Sequence, residues 1–221
     1  TISQTLYIPS YATLVGAGID KTIINFTGSG AIIQTVNDSS VSGNYSSLSS
    51  TTGINQPRHI KIKGFTFNTT SSVKPGFQLD AVKLSIFEDI KLIGDWNSTY
   101  NLNSRAISLN ALSNIVTCEN NLFNNILIEK FSYGIFSKFD IARNVFQDIS
   151  IASTFKGISL GEGSNGSSIG EQIGPCNNSF TSCYFNNIMQ QAVYVERGTD
   201  NLIDNCKLDN VGNDGGGHLY I

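Results

Sequence analysis

The fold is decided by Asn121-Leu122-Phe123-Asn124-Asn125-Ile126-Leu127-Ile128 and its three echoes. These are Asn144-Val145-Phe146-Gln147-Asp148-Ile149-Ser150-Ile151, Asn178-Ser179-Phe180-Thr181-Ser182-Cys183-Tyr184-Phe185 and Asn201-Leu202-Ile203-Asp204-Asn205-Cys206-Lys207-Leu208. Each opens on asparagine and places apolar residues at the third, sixth and eighth positions. The copies are offset by 23, 34 and 23 residues, a constant step with one insertion, and repeats of this length mark stacked arrays. Degraded copies stand earlier, at Ile62, Phe65 and Phe67 and at Phe87, Ile90 and Leu92.

Each copy is followed by a second short phrase of the form small, apolar, x, apolar. Its instances are Ala81-Val82-Lys83-Leu84, Ala106-Ile107-Ser108-Leu109, Gly157-Ile158-Ser159-Leu160, Ala192-Val193-Tyr194-Val195 and His218-Leu219-Tyr220-Ile221, with Gly134-Ile135-Phe136 a shorter relative. Period-2 alternation is the signature of a strand with one buried face. Each repeat therefore holds at least two short strands separated by bends. A leucine-rich repeat shares the first three apolar positions but wants Asn or Cys at the ninth, where this chain has Phe131, Thr154, Ile188 and Val211. Gly-rich, β-branched continuations also disfavour its helix. The pattern predicts an all-β, single-stranded, right-handed parallel β-helix, a solenoid of seven to nine coils spanning residues 1–221 as one domain.

Equivalent positions on successive coils should lie about 4.8 Å apart, so like residues form ladders. Phe123, Ile126, Ile128, Phe146, Ile149, Ile151, Phe180, Phe185 and Leu208 are expected inward. Cys183 and Cys206 share one inner column, close enough for a disulfide or for two buried thiols. The polar column Asp89, Asn125, Asp148, Ser182 and Asn205 is expected to bond backbone at a bend. Segments 37–56 and 161–177, rich in Ser, Gly and Asn, read as excursions from the coils.

Charged residues make up 14% of the chain and the net charge is −3 with no basic stripe, which argues against nucleic acid. No apolar run is long enough to span a membrane, and the chain opens with no signal-peptide pattern. His59 and His218 do not make a metal site, and no cofactor motif is present: Gly16-Ala17-Gly18 lacks the third glycine of a dinucleotide loop.

Leu6-Tyr7-Ile8-Pro9-Ser10-Tyr11-Ala12-Thr13-Leu14-Val15-Gly16-Ala17-Gly18-Ile19-Asp20-Lys21-Thr22-Ile23-Ile24 resembles the first coils of pectate-lyase-like β-helix proteins. It is similar above all to versions in bacteriophage tail spikes, tail fibres and related virion appendages. The resemblance implies a β-helix in a virion setting, or otherwise a secreted or cell-surface one. Expected partners are further copies of the chain in a trimer, other virion proteins and a host-surface polysaccharide. Enzymes of this family cleave acidic polysaccharides, but the chain lacks their Asp ladder with partner Arg and their Asn-Thr-Asp, Asp-Asp and Gly-His-Gly signatures, so no catalytic residue carries over. The polar caps usual at the ends of such folds are also missing from both ends of the sequence, which reads as a piece of a longer polypeptide or as a subunit covered by partners.

Two kinds of site remain. Glycoside hydrolysis needs two carboxylates about 5 to 9.5 Å apart. Glu162 and Glu196 follow equivalent strands and form the candidate pair for a lyase or hydrolase, against the reading that they are solvated charges at loop ends. Glycan binding without chemistry asks for exposed aromatics, and the candidates are Tyr133, Tyr194, Tyr220, Trp96 and Tyr100. Tyr194 and Tyr220 should hold one outward position on successive coils, where they can stack on sugars or lie in an oligomer interface.

Overall fold

The computed structural model describes residues 1–36, 56–70, 75–111, 117–138, 141–161, 175–196, 198–212 and 219–220. Most of 37–56 and 161–177, the two expected excursions, lies outside the described residues.

Among the described residues there is no helix and every strand pairing is parallel. The strands run β1 (Leu6–Ile8), β2 (Thr13–Val15), β3 (Ile23–Phe26), β4 (Ile33–Thr35), β5 (Lys61–Thr69), β6 (Phe77–Asp80) and β7 (Ile86–Ile93). They continue with β8 (Arg105–Asn110), β9 (Cys118–Glu119), β10 (Leu122–Glu129), β11 (Tyr133–Ser137), β12 (Ile141–Ala142), β13 (Val145–Thr154) and β14 (Lys156–Leu160). The last are β15 (Ser179–Thr181), β16 (Tyr184–Ile188), β17 (Val193–Val195), β18 (Leu202–Asp204), β19 (Lys207–Val211) and β20 (Leu219–Tyr220).

The chain winds through two large sheets and a third of two strands, β9 and β12, laying each new strand beside one from the previous pass. One sheet has the order β1-β4-β6-β8-β11-β14-β17-β20. The other runs β2-β5-β7-β10-β13-β15-β18, with β3 on the second half of β5 and β16-β19 on the second half of β13. Register follows the repeat: Phe87, Phe123, Phe146 and Phe180 are paired in turn, as are Leu92, Ile128, Ile151, Phe185 and Leu208. The four phenylalanine rings stack with centroids 4.9 to 5.0 Å apart and planes within 10°. Eight of the nine residues expected inward are buried. Leu208 is the exception, 42% exposed, because among the described residues β19 pairs only with β16.

The small-apolar phrase at Ala81 is out of phase. The strand of that pass is Phe77–Asp80, with Phe77 and Leu79 registered on Ile107 and Leu109, while Ala81 turns the chain with φ 53°. Gly76-Phe77-Gln78-Leu79 carries the same pattern five residues earlier.

Three left-handed bends recur along the stack. The first holds Tyr11, His59, Leu84, Asn120, Arg143, Asn177 and Asp200, the second Gly64, Asp89, Asn125, Asp148, Ser182 and Asn205, and the third Lys130, Ser153, Asn187 and Asn210. Left-handed backbone is costly for most residues and cheapest for Gly, Asn and Asp, which explains the residue choice at most of these positions. At the second bend the polar side chains reach the neighbouring pass, not the backbone: Asn125 donates to Asp89 at 2.7 Å and Asn205 to Ser182 at 3.2 Å. Two of the glycines in the opening motif are required by geometry. Gly18 has φ 125°, and a Cβ on Gly16 would collide with the Gly64 carbonyl oxygen.

The opening asparagines form a buried ladder. From Asn144 on, each carboxamide oxygen accepts from the side chain of the preceding asparagine: Asn121 donates to Asn144 at 2.9 Å, Asn144 to Asn178 at 3.1 Å, Asn178 to Asn201 at 3.0 Å. Each oxygen also accepts from the backbone N–H of the previous pass, and each NH₂ also donates to a carbonyl, of Val82, Cys118, Ile141 and Pro175 in turn. These amides satisfy one another inside the turn, where water cannot.

Candidate functional site

The aromatic candidates whose side chains are described differ widely in exposure. Tyr133 is fully buried, contrary to its expected exposure. It is in register with Arg105 and Lys156, and is covered by Tyr100, whose hydroxyl shares a 3.1 Å hydrogen bond with its own, and by Phe136, 5.2 Å away between ring centroids. Tyr100 is half exposed and packs edge-on against Phe155 at 4.9 Å. Trp96 is partly buried, its indole N–H donating to the Thr99 carbonyl. Tyr194 and Tyr220 are paired in register as expected. Tyr194 is partly buried, with the Lys156 ammonium 4.5 Å from its ring centroid.

Of the two carboxylate candidates, Glu162 lies outside the described residues. Glu196 is partly buried just after β17, its N–H donating to the Leu160 carbonyl at 2.9 Å. The cysteines of the inner column are free thiols. Burial, reinforced by the neighbouring Cys206, pushes the Cys183 thiol up to about 12, so it is protonated and unreactive as a nucleophile at neutral pH.

On the ten-stranded sheet, ion pairs join β5 to β7. Glu88 takes Lys61 at 3.0 Å and Lys63 at 3.1 Å, and Lys63 also reaches Asp89 at 3.2 Å. The Lys61 and Lys63 hydrogen bonds hold the Glu88 carboxyl below its ordinary range, and those from Asn125 and Lys63 do the same for Asp89. Glu88 in turn raises Lys63. Each carboxylate is already neutralised by an ammonium, which is the wrong arrangement for a proton-donating acid. No cluster of three or more His, Cys, Asp or Glu suited to a metal occurs among the described residues.

A cavity of about 700 Å³ opens where β1 and β2 end the two sheets, lined by Ser3, Thr5, Leu6, Ile8, Leu14 and Ser29 among others. Among the described residues its only titratable lining residue is Tyr7.

The first bend holds what sequence reading passed over. Tyr11 and His59 occupy it on adjacent passes with rings stacked at 5.2 Å and 24°, and Tyr11 is 65% exposed. The Arg58 guanidinium carbon lies 5.9 Å from the Tyr11 ring centroid. Aligning Ser10-Tyr11-Ala12-Thr13-Leu14 under Arg58-His59-Ile60-Lys61-Ile62 exposes the pairing. The signal was masked because the phrase is degraded on these early passes.

No family model matches the sequence, and no curated protein matches it. Among solved structures, the crystal structure of the pre-mature bacteriophage phi29 gene product 12 is similar over 95% of this chain, with 12% identity and a TM-score of 0.47. This chain spans 28% of that one.

Proposed function

We propose that the chain is one right-handed parallel β-helix domain that acts as a structural and recognition component of a bacteriophage tail or appendage, contacting a host-surface glycan. The observation that carries the architectural half is the unbroken parallel register from β5 through β19, in which every pass repeats the last. Parallel crossovers within a sheet are right-handed in almost every known case. The functional half is supported by the opening phrase and its resemblance to virion appendages, together with a surface poor in charge and rich in Asn, Ser and Thr. Neutral planar amides and hydroxyls are the groups that hydrogen-bond sugars, and a rigid stack presents them at fixed spacing. The chain works as a homo-oligomer, most simply a trimer.

The test is to incubate the chain with capsule or lipopolysaccharide from candidate hosts and measure both binding and new reducing ends or unsaturated products. Binding without cleavage, together with a trimer by light scattering, is the expected result. Turnover abolished by Glu196→Gln makes the chain a polysaccharide lyase or hydrolase on the same scaffold, and a stable monomer at all concentrations removes the trimer.

A further inference from the structure

We propose that Cys183 and Cys206 form a redox latch: a low-molecular-weight disulfide such as glutathione disulfide oxidises the pair to an internal bond that fastens the pass of β18 and β19 to the pass before it. The two thiols hold one position on successive passes. Lys207 N–H donates to the Cys183 carbonyl at 2.8 Å, and the flanking residues are registered as Thr181 on Asp204 and Tyr184 on Lys207. The side chains also take the same direction. Cys183 Sγ lies 3.7 Å from the Phe146 carbonyl oxygen and 3.6 Å from that of Thr181, and Cys206 Sγ lies 3.6 and 3.4 Å from the equivalent oxygens of Phe180 and Asp204. Neighbouring strands stand about 4.8 Å apart, within the Cα separation that a disulfide spans.

Packing alone does not ask for cysteine here. The same column carries Phe65, Ile90, Ile126 and Ile149 on the preceding passes, and only on two adjacent passes does it change to a thiol. Those two passes are also where a tie has most to add. Among the described residues β18 pairs only with β15 and β19 only with β16, and Leu202, Asp204 and four of the five residues of β19 are exposed. A covalent bond restrains most where few contacts hold a segment down.

Both cysteines are free thiols, and their exposure assigns the order of events. Cys206 is only partly buried, so its thiolate attacks one sulfur of glutathione disulfide; the S–S bond of the oxidant breaks, and one glutathione leaves as a thiol. The Cys183 sulfur then attacks the Cys206 sulfur of the mixed disulfide, expelling the second glutathione. The chain loses two electrons and two protons, and both appear on the two glutathione thiols. Burial pushes the Cys183 thiol up to about 12, so this second step is slow at neutral pH and quickens as pH rises. Its attack succeeds because the target sulfur is held one strand away. The pair stays open in a reducing compartment and closes in an oxidising one. The latch is independent of any glycan.

The test is to hold the folded full chain in glutathione disulfide at mildly alkaline pH, quench with an alkylating reagent and map the peptides. Two of the four thiols should become unreactive, recovered as a Cys183–Cys206 linked peptide within a single chain, and reduced glutathione should restore them. Amide hydrogen exchange in β18 and β19 should slow about tenfold or more on oxidation, while β10 stays unchanged. Cys206→Ala should abolish both the bond and the slowing, and Cys176→Ala should leave both intact. A mixed disulfide that persists on Cys206 while Cys183 remains alkylatable overturns the latch. A bond to Cys118 or Cys176, a link between chains, or four unchanged thiols does the same. A Cys183–Cys206 bond that leaves exchange in β18 and β19 unaltered shows that the bond fastens nothing, and overturns it as well.

Discussion

The early and late passes of this molecule solve the same problem with different residues. In the column that opens each long strand, the late passes place Asn121, Asn144, Asn178 and Asn201, and the early ones Ala12, Ile60 and Ser85. At the first bend the late passes use Asn120, Arg143, Asn177 and Asp200, and the early ones Tyr11, His59 and Leu84. Late passes thus satisfy their turn with a continuous amide ladder and suit the left-handed backbone at three of four positions. Early passes give up both. They substitute a lone hydroxyl, with Ser85 accepting from the Ile60 N–H at 3.0 Å and donating to the Lys83 carbonyl at 2.8 Å, and they add surface ion pairs. The difference shows that the fold needs the turn hydrogen bonds met somehow, but not by one residue type.

The strongest way to break this comparison is to truncate each column. Asn144→Ala removes the acceptor of the Asn121 N–H and side chain and the donor to the Cys118 carbonyl, so it should cost about 3 kcal/mol or more. Ser85→Ala removes one acceptor and one donor and should cost about 1 to 2 kcal/mol. Urea titration of both variants measures the contrast, and equal losses would erase the distinction between ladder and lone hydroxyl. A smaller change of opposite sign is expected at the bend. Leu84 is 49% exposed at φ 51°, so Leu84→Asn should stabilise by about 0.5 to 1 kcal/mol, read as a rise in Tm. The converse swap, Asn120→Leu, should destabilise.

The smallest effect concerns the early-pass ion pairs. The depressed Glu88 and Asp89 contribute stability that is present above the ordinary carboxylate range and is lost as pH falls through their lower folded values. The raised Lys63 contributes below the ordinary lysine range and loses that contribution as pH rises through its higher folded value. Because the cluster is at the surface, the gain is slight. Glu88→Gln should lower Tm modestly at neutral pH, with the difference closing in acid, and a difference that persists at pH 2 would contradict this assignment.

The inward ladders were legible because apolar periodicity encodes which face is buried: Phe123, Ile126 and Ile128 could be placed from spacing alone. The asparagine that opens each phrase was equally visible, yet its bonding was not, since a ladder exists only when a second pass stacks on the first. Tyr133 shows the limit at the surface. Alternation gives a side chain's direction but not what lies over it, and Tyr100 comes from a connection whose path has no period. Leu208 was misplaced for a related reason, because pattern fixes its column but burial needs strands on both sides. Tyr11 and His59 escaped notice because their passes carry the weakest copies of the phrase.

The central claim is that successive passes stack in parallel with the observed register, and cysteine pairs on the outer column test it most directly. Leu122 is registered on both Ile86 and Val145. Ile86→Cys with Leu122→Cys, and separately Leu122→Cys with Val145→Cys, should each oxidise to an intramolecular disulfide, since neighbouring strands lie about 4.8 Å apart. Ile86→Cys with Val145→Cys, two strands apart at about 9.6 Å, should not. Cross-linking of the third pair in preference to the first two would contradict the stacking on which the whole account rests.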